Sequence, residues 1–305
     1  MSAFHRDLVN AKFIPRFSFG PGLTWLVRRA KPRGRRAPDD MIIEDVTVGG
    51  AVPVSLRMYR PKSLTGIAPA LLWMHGGGFL IGNPEQDEES SIGFARDLGI
   101  TVVALRYRLA PEHRAPAALD DAYAALTWVV ANAKARGIDA SKIAIGGASA
   151  GGGLAATLAI YAHDKGDVTP LFQLLVYPML DDRTVLRTDM DTRNVRMWSP
   201  GSNRFAWSAY LGHDPGDQET SPYAAAARRE DLTGLPPAWI GVGTLDLFHD
   251  EDLEYARRLD EAGVPCETYV VSGAFHGFDT AFRHAGVSQD FWKEQKRALR
   301  AAFDV

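Results

Sequence analysis

The sequence predicts an α/β sandwich, one mostly parallel central sheet with helices on both faces. Three observations lead there. Short continuous apolar runs recur along the chain, as strands buried on both faces require. Segments with helix start and stop signals separate most of them, and strand-helix alternation places parallel strands in one sheet. The length, 305 residues with no repeat of fixed period, suits one large domain.

The elements follow in order. An N-terminal segment carries Phe13, Phe17, Phe19 and Trp25, which are expected to lie over a body formed later in the chain. The basic run Arg28 to Arg36, broken by Pro32 and Gly34, reads as a solvated linker. Ile43 to Val48 and Val54 to Tyr59 read as half-buried strands joined by a Gly49-Gly50 turn. Fully buried strands are expected at Ala70 to Met74, Thr101 to Leu105, Ile143 to Ile145, Phe172 to Tyr177, Trp239 to Val242 and Thr268 to Val271. Asp120 to Arg136 starts on two carboxylates and stops before Gly137. Asp250 to Ala262 starts acidic and ends at Gly263-Val264-Pro265. Between Tyr177 and Trp239 lie about sixty residues, far more than a crossover needs. They hold Met197, Trp198, Phe205, Trp207 and Tyr210 and read as an insertion that joins the N-terminal aromatics in a cap. The organisation expected is an N-terminal cap segment over 1–40 and a catalytic domain over 41–305, with the cap insertion at about 182–235.

Composition excludes several classes. Lys and Arg total 34 against 37 Asp and Glu, a formal charge of −3 that argues against a nucleic-acid partner. Cys266 is the only cysteine, so no internal disulfide forms and a reducing compartment fits; it reads as buried and inert. The first ten residues carry His5, Arg6 and Asp7 with no apolar core, unlike a secretory signal. The uncharged stretch Ile143 to Ala162 is rich in glycine at its start, which suits strand, turn and buried helix better than a membrane span. A soluble, cytoplasmic protein without membrane attachment is expected.

The chemistry centres on Gly147-Ala148-Ser149-Ala150-Gly151, between a strand and a helix. A serine hydroxyl is a poor nucleophile unless it is exposed and aimed at a base. A sharp strand-to-helix turn exposes it, and the helix N-terminus favours negative charge developing beside it. His75-Gly76-Gly77-Gly78-Phe79 follows another buried strand, and its consecutive glycines allow amides to turn inward on an anionic oxygen, together with the amide of Ala150. A base and an orienting acid are then needed. His276 follows the last buried strand and Asp246 the one before, so both emerge at the sheet edge that carries Ser149. Asp250 is the rival acid, better explained as the cap of its helix; His249 reads as surface or pocket lining. No metal-ligand spacing and no phosphate-binding glycine motif is present, so no cofactor is expected.

Taken together, His75-Gly76-Gly77-Gly78, Tyr107-Arg108-Leu109-Ala110-Pro111-Glu112-His113, the serine pentapeptide, Asp246 and His276-Gly277-Phe278 resemble the hormone-sensitive-lipase family of α/β-hydrolase esterases. The resemblance runs from about Ala70 to Phe278. It implies the α/β-hydrolase fold, an eight-stranded sheet with a helical cap, and hydrolysis of short-acyl carboxylic esters without a cofactor. By motif, Ser149 is the nucleophile, His276 the base and Asp246 its acid. Gly76, Gly77, Gly78 and Ala150 form the oxyanion hole, and the Tyr107 to His113 segment braces the loop. Phe79, Met197, Trp198, Phe205, Trp207 and Leu247 are expected to line the substrate pocket. The family often has Asp or Thr where this chain has Ala148. A small-molecule ester is the expected partner, and a homodimer is compatible with the sequence. An amidase or lactonase on the same scaffold, and a non-catalytic receptor for a small apolar ligand, are the competing readings.

Overall fold

Residues 3–29, 37–50 and 52–305 are described by a computed structural model of the chain. Eight strands form one sheet: β1 (Met41–Val48), β2 (Val54–Pro61), β3 (Ala68–Met74), β4 (Thr101–Arg106), β5 (Ile138–Ala148), β6 (Gln173–Val176), β7 (Ala238–Gly243) and β8 (Cys266–Val271). Their spatial order is β1-β2-β4-β3-β5-β6-β7-β8. The pairs β1–β2 and β2–β4 are antiparallel, and every pair from β4 to β8 is parallel. The helices are α1 (Pro21–Arg29), α2 (Glu88–Leu98), α3 (Ala117–Arg136), α4 (Ala150–Lys165), α5 (Pro200–Leu211), α6 (His249–Glu261), α7 (Phe278–Ala281) and α8 (Gly286–Phe303).

The apolar runs are continuous because both faces of the sheet are covered. Leu72, Ile145, Leu175 and Ile240 point to one side, where Leu126 of α3, Leu158 of α4 and Leu259 of α6 pack on them. Their chain neighbours Leu71, Ala144, Leu174 and Trp239 point to the other, against Phe94 of α2 and Phe291 and Leu299 of α8. The parallel strands end at one edge, so the loops after β3, β5, β7 and β8 gather there.

Two expected boundaries shift. Strand β5 starts at Ile138, five residues early: Ile138 pairs with Ala68, the ladder then bulges, with Asp139 closing a local turn onto the Ser141 amide and hydroxyl, and regular pairing resumes at Ile143 with Ala70. Strand β8 starts at Cys266; at the sheet edge it is only partly covered, which explains its weak apolar signature.

The N-terminal segment and the insertion pack on each other. Arg16 donates to the Thr192 carbonyl, the Ser18 and Ser199 hydroxyls are 2.7 Å apart, and the Phe19 amide donates to Ser202 Oγ. The insertion is closed on itself by Asp182, fully buried, which pairs with Arg228 at 2.8 Å and accepts from the Gly216 amide and Thr220 hydroxyl. Burial opposes the Asp182 charge, but those donors, Arg228 first, outweigh it and hold the carboxyl below the usual carboxylate range.

The N-terminal aromatics depart from expectation. Only Phe19 packs inward, on Trp198 with ring centroids 5.8 Å apart. Phe13 is 73% exposed, Trp25 56% and Phe17 39%: Phe13 and Trp25 face outward, each with a neighbouring cation, Lys12 or Arg29, over its ring. The basic run departs as well. Arg28 donates to the Leu80 and Ala110 carbonyls and pairs with Glu112, so it is an anchor and not a solvated charge. Residues 30–36 of that run lie outside the described residues.

Candidate active site

The nucleophile candidate sits where β5 breaks into α4. Ser149 has φ 57° and ψ −121°, a conformation that L residues rarely adopt, and it precedes the first helical residue, Ala150. The kink is held by its own backbone: the Ser149 amide donates to Val176, and its carbonyl accepts from Gly153 and Met179. Close packing makes it tight, since a Cβ on Gly151 would run into the Met74 carbonyl at the end of β3.

His276 follows β8 and Asp246 follows β7. His276 Nε2 is 2.9 Å from Ser149 Oγ and His276 Nδ1 is 2.8 Å from Asp246 Oδ2. Asp246 Oδ1 accepts from the Phe248 amide, which fixes the plane of the carboxylate. With Nδ1–H donating to that carboxylate, Nε2 is left to accept the serine hydroxyl proton. All three side chains are buried. Asp250 is bonded instead to Arg187 and His249. The expectation that Asp250 caps its helix is corrected: Phe248 occupies the cap, and Asp250 is in the first turn without a capping bond, held below the usual carboxylate range by His249 and then Arg187 against some burial.

The glycine loop after β3 wraps over this group. Gly77 and Gly78 have φ of 122° and 61°, and a Cβ on Gly78 would collide with the Trp198 indole. Gly76 lies against the turn, with space for a Cβ only 3.4 Å from that of Ser149. No acceptor is found among the described residues for the amides of Gly77, Gly78 or Ala150. Such open amides beside a serine hydroxyl can bind an oxyanion.

The loop is braced from beneath. Tyr107 donates its hydroxyl to the His75 carbonyl at 2.7 Å, and its ring stacks on the His75 imidazole with centroids 4.2 Å apart. Burial lowers the His75 pKa to about 4, so the ring is neutral at physiological pH and its Nδ1 faces the Gly76 carbonyl at 2.8 Å. Gln86 donates to that same carbonyl, and the Ala110 amide donates to Phe79. The sequence suggested no role for Gln86 and a solvated one for Arg28; both roles depend on which distant carbonyls the side chains reach.

The expected pocket residues are not gathered around one cavity. Phe79 and Trp207 are interior: Phe79 stacks on Tyr210 at 3.9 Å and Trp207 packs beside both. Trp198 stands next to the site, 6.4 Å from the His276 ring. Leu247 lines a cavity of about 230 Å³ with Thr184 and Asn203. Phe205 lines another of about 620 Å³ with Trp25 and Arg28, and Met197 is partly exposed. Cys266 is half-buried rather than buried, and burial pushes its thiol up to about 12, so it is an unreactive thiol.

A profile of the α/β-hydrolase fold matches residues 71–280, more than half of the chain. The chain belongs to the α/β-hydrolase family. It is 35% identical over 263 residues to the carboxylesterase NlhH of Mycobacterium tuberculosis, covering 83% of this chain and 81% of that one. It is 34% identical over 245 residues to an ethyl acetate hydrolase of Pseudomonas putida, covering 75% and 72%. The solved bacterial heroin esterase superposes with a TM-score of 0.88 at 36% identity, over 99% of this chain and 98% of that one. This family member is therefore a carboxylic ester hydrolase of the hormone-sensitive-lipase type, as the motifs implied. Among the described residues no helix is long and apolar enough to cross a membrane.

Proposed function

We propose that this esterase cleaves short- to medium-chain acyl esters through an acyl-enzyme on Ser149. The observation that carries the reading is the unbroken hydrogen-bonded line from Ser149 through His276 to Asp246. Ser149 Oγ attacks the ester carbonyl carbon while His276 Nε2 takes the hydroxyl proton; Asp246 stabilises the imidazolium without being protonated. The tetrahedral oxyanion is bound by the amides of Gly77, Gly78 and Ala150. His276 then gives its proton to the leaving alcohol oxygen and the C–O bond breaks. Water, deprotonated by His276, attacks the acyl-enzyme, releasing the acid and restoring Ser149.

The preference for short acyl groups rests on the bulk around the site. Trp198 stands over Gly78 with Phe19 behind it, and the N-terminal segment and the insertion meet above as a cap. A relative is named for an acetate ester. Each CH₂ accommodated gains about 0.8 kcal/mol, roughly fourfold in efficiency. Once the space is full, displacing packed side chains costs roughly 1–3 kcal/mol. Efficiency is expected to peak at roughly butyrate to hexanoate. The test is kcat/KM over p-nitrophenyl esters from acetate to palmitate, beside a triolein emulsion. A maximum at long chains, or activation at the oil surface, would make the enzyme a lipase instead.

A further inference from the structure

Behind the candidate nucleophile lies a buried carboxylate that the ester chemistry does not use. Asp279 is buried in the first turn of α7, three residues after His276. It accepts from the Tyr177 hydroxyl at 2.8 Å through Oδ1 and from Trp292 Nε1 at 2.8 Å through Oδ2. Burial raises its pKa against those two donors. A buried carboxyl is costly to keep where packing alone is needed, which directs attention to what it holds.

It holds Tyr177, the first residue after β6. The Tyr177 backbone is at φ 35°, outside the range L residues favour, and its amide is tied to the Gly241 carbonyl at 2.7 Å. Its ring stands edge-on to the His276 imidazole, centroids 4.8 Å apart at 63°, with Phe291 stacked at 6.2 Å. On the side of Ala148 the ring borders a cavity of about 50 Å³, lined also by Gln86, Asp87 and Asp279. Packing against Phe291 and the cluster around it holds most of the ring, and at its hydroxyl end the bond to Asp279 is the polar contact that fixes it.

We propose that Asp279 is a positioning residue for ester hydrolysis: through the Tyr177 hydroxyl it fixes the ring that holds His276 in line with Ser149. The proposal rests on the reading of Ser149 and His276 given above. A histidine that drifts from its line with the serine loses kcat more than substrate binding.

The test is steady-state kinetics on p-nitrophenyl butyrate, per active site titrated with a p-nitrophenyl phosphonate, on variants shown folded by thermal melts. Tyr177→Phe keeps the ring and the Trp292 link while removing the tether; kcat should fall about tenfold with KM within about twofold. Asp279→Asn should fall similarly, and the double variant should be no worse than the poorer single one. Trp292→Phe, which cuts only the other bond of Asp279, should keep kcat within about twofold. An unchanged kcat in Tyr177→Phe overturns the proposal, as do multiplying losses in the double variant or an equal loss in Trp292→Phe. Should Asp279→Asn fail to fold, Tyr177→Phe alone decides. Ser149→Ala run in parallel separates the two levels. Retained activity there would refute the nucleophile itself, whereas an inactive Ser149→Ala beside a fully active Tyr177→Phe refutes only the tether.

Discussion

At the scale of single residues, the site is a chain of dependencies. Ser149 gains its direction from a strained backbone, His276 its tautomer from Asp246, and Asp246 its plane from the Phe248 amide. Removing a link should cost according to its place. Ser149→Ala and His276→Ala should each lower kcat by about 10⁴-fold or more, with unfolding temperatures near wild type. Asp246→Asn should also be severe, because an amide cannot support the imidazolium. Asp250→Asn should leave kcat nearly unchanged, since Asp250 faces Arg187 and His249. Stopped-flow and melting curves on the four variants check this; a larger kcat loss in Asp250→Asn than in Asp246→Asn would reverse the assignment of the acid.

At the scale of elements, what the sequence made legible was what depends on local pattern. Apolar runs and caps located every strand, and the order of motifs along the chain placed Ser149, Asp246 and His276 at one sheet edge. What escaped depends on distant partners. Nothing near Arg28 reveals that it will bind the Leu80 and Ala110 carbonyls, and a charge beside prolines and glycine reads as solvated. Phe13 and Trp25 look like core residues by type, yet they stay on the surface, where Lys12 and Arg29 lie over their rings. The strand–insertion boundary carries its own prediction. Asp182 and Arg228 form a buried pair, and losing one partner strands the other in the interior. Asp182→Ala should destabilise the fold by about 3–5 kcal/mol, read from urea unfolding. Because its folded pKa is depressed, the Asp182 contribution is present above the unfolded carboxylate pKa and is lost as pH falls through the folded one. Deleting residues before Ala37 removes Phe19 from Trp198 and Arg28 from the glycine loop. Lower activity and poorer solubility are expected, measured by kcat/KM and light scattering; unchanged values would make the segment an ordinary tail.

At the scale of the whole molecule, two buried groups pull the stability curve in opposite directions in acid. His75 has its pKa lowered by burial to about 4, so between about 6.5 and 4 the unfolded chain takes up a proton that the native one refuses. Stability from this group is full above 6.5 and is lost as pH falls. Asp87 has its pKa raised by burial to about 6, opposed by the Trp73 indole N–H, so the native state keeps a proton that the unfolded chain gives up between about 4 and 6. Stability from this group is lost as pH rises through that window. The two partly cancel in the native enzyme. Relative to the wild type, His75→Phe should tilt the stability curve downward as pH rises from 4 to 6, and Asp87→Asn should tilt it upward, each measured by urea midpoints across the window. Identical slopes in both variants would contradict the burial account of these groups. The sheet, the glycine loop and the turn at Ser149 are thereby tied together, since His75 and Asp87 flank the loop that lies over the serine.

The most direct measurement of the central claim is covalent. The enzyme is treated with diethyl p-nitrophenyl phosphate, p-nitrophenol release is counted, and the labelled peptide is located by mass spectrometry. One equivalent released per chain, the diethylphosphoryl group on Ser149, and esterase activity falling in proportion are the results expected. A label on another residue, or full esterase activity in a chain whose Ser149 is quantitatively labelled, would contradict the account.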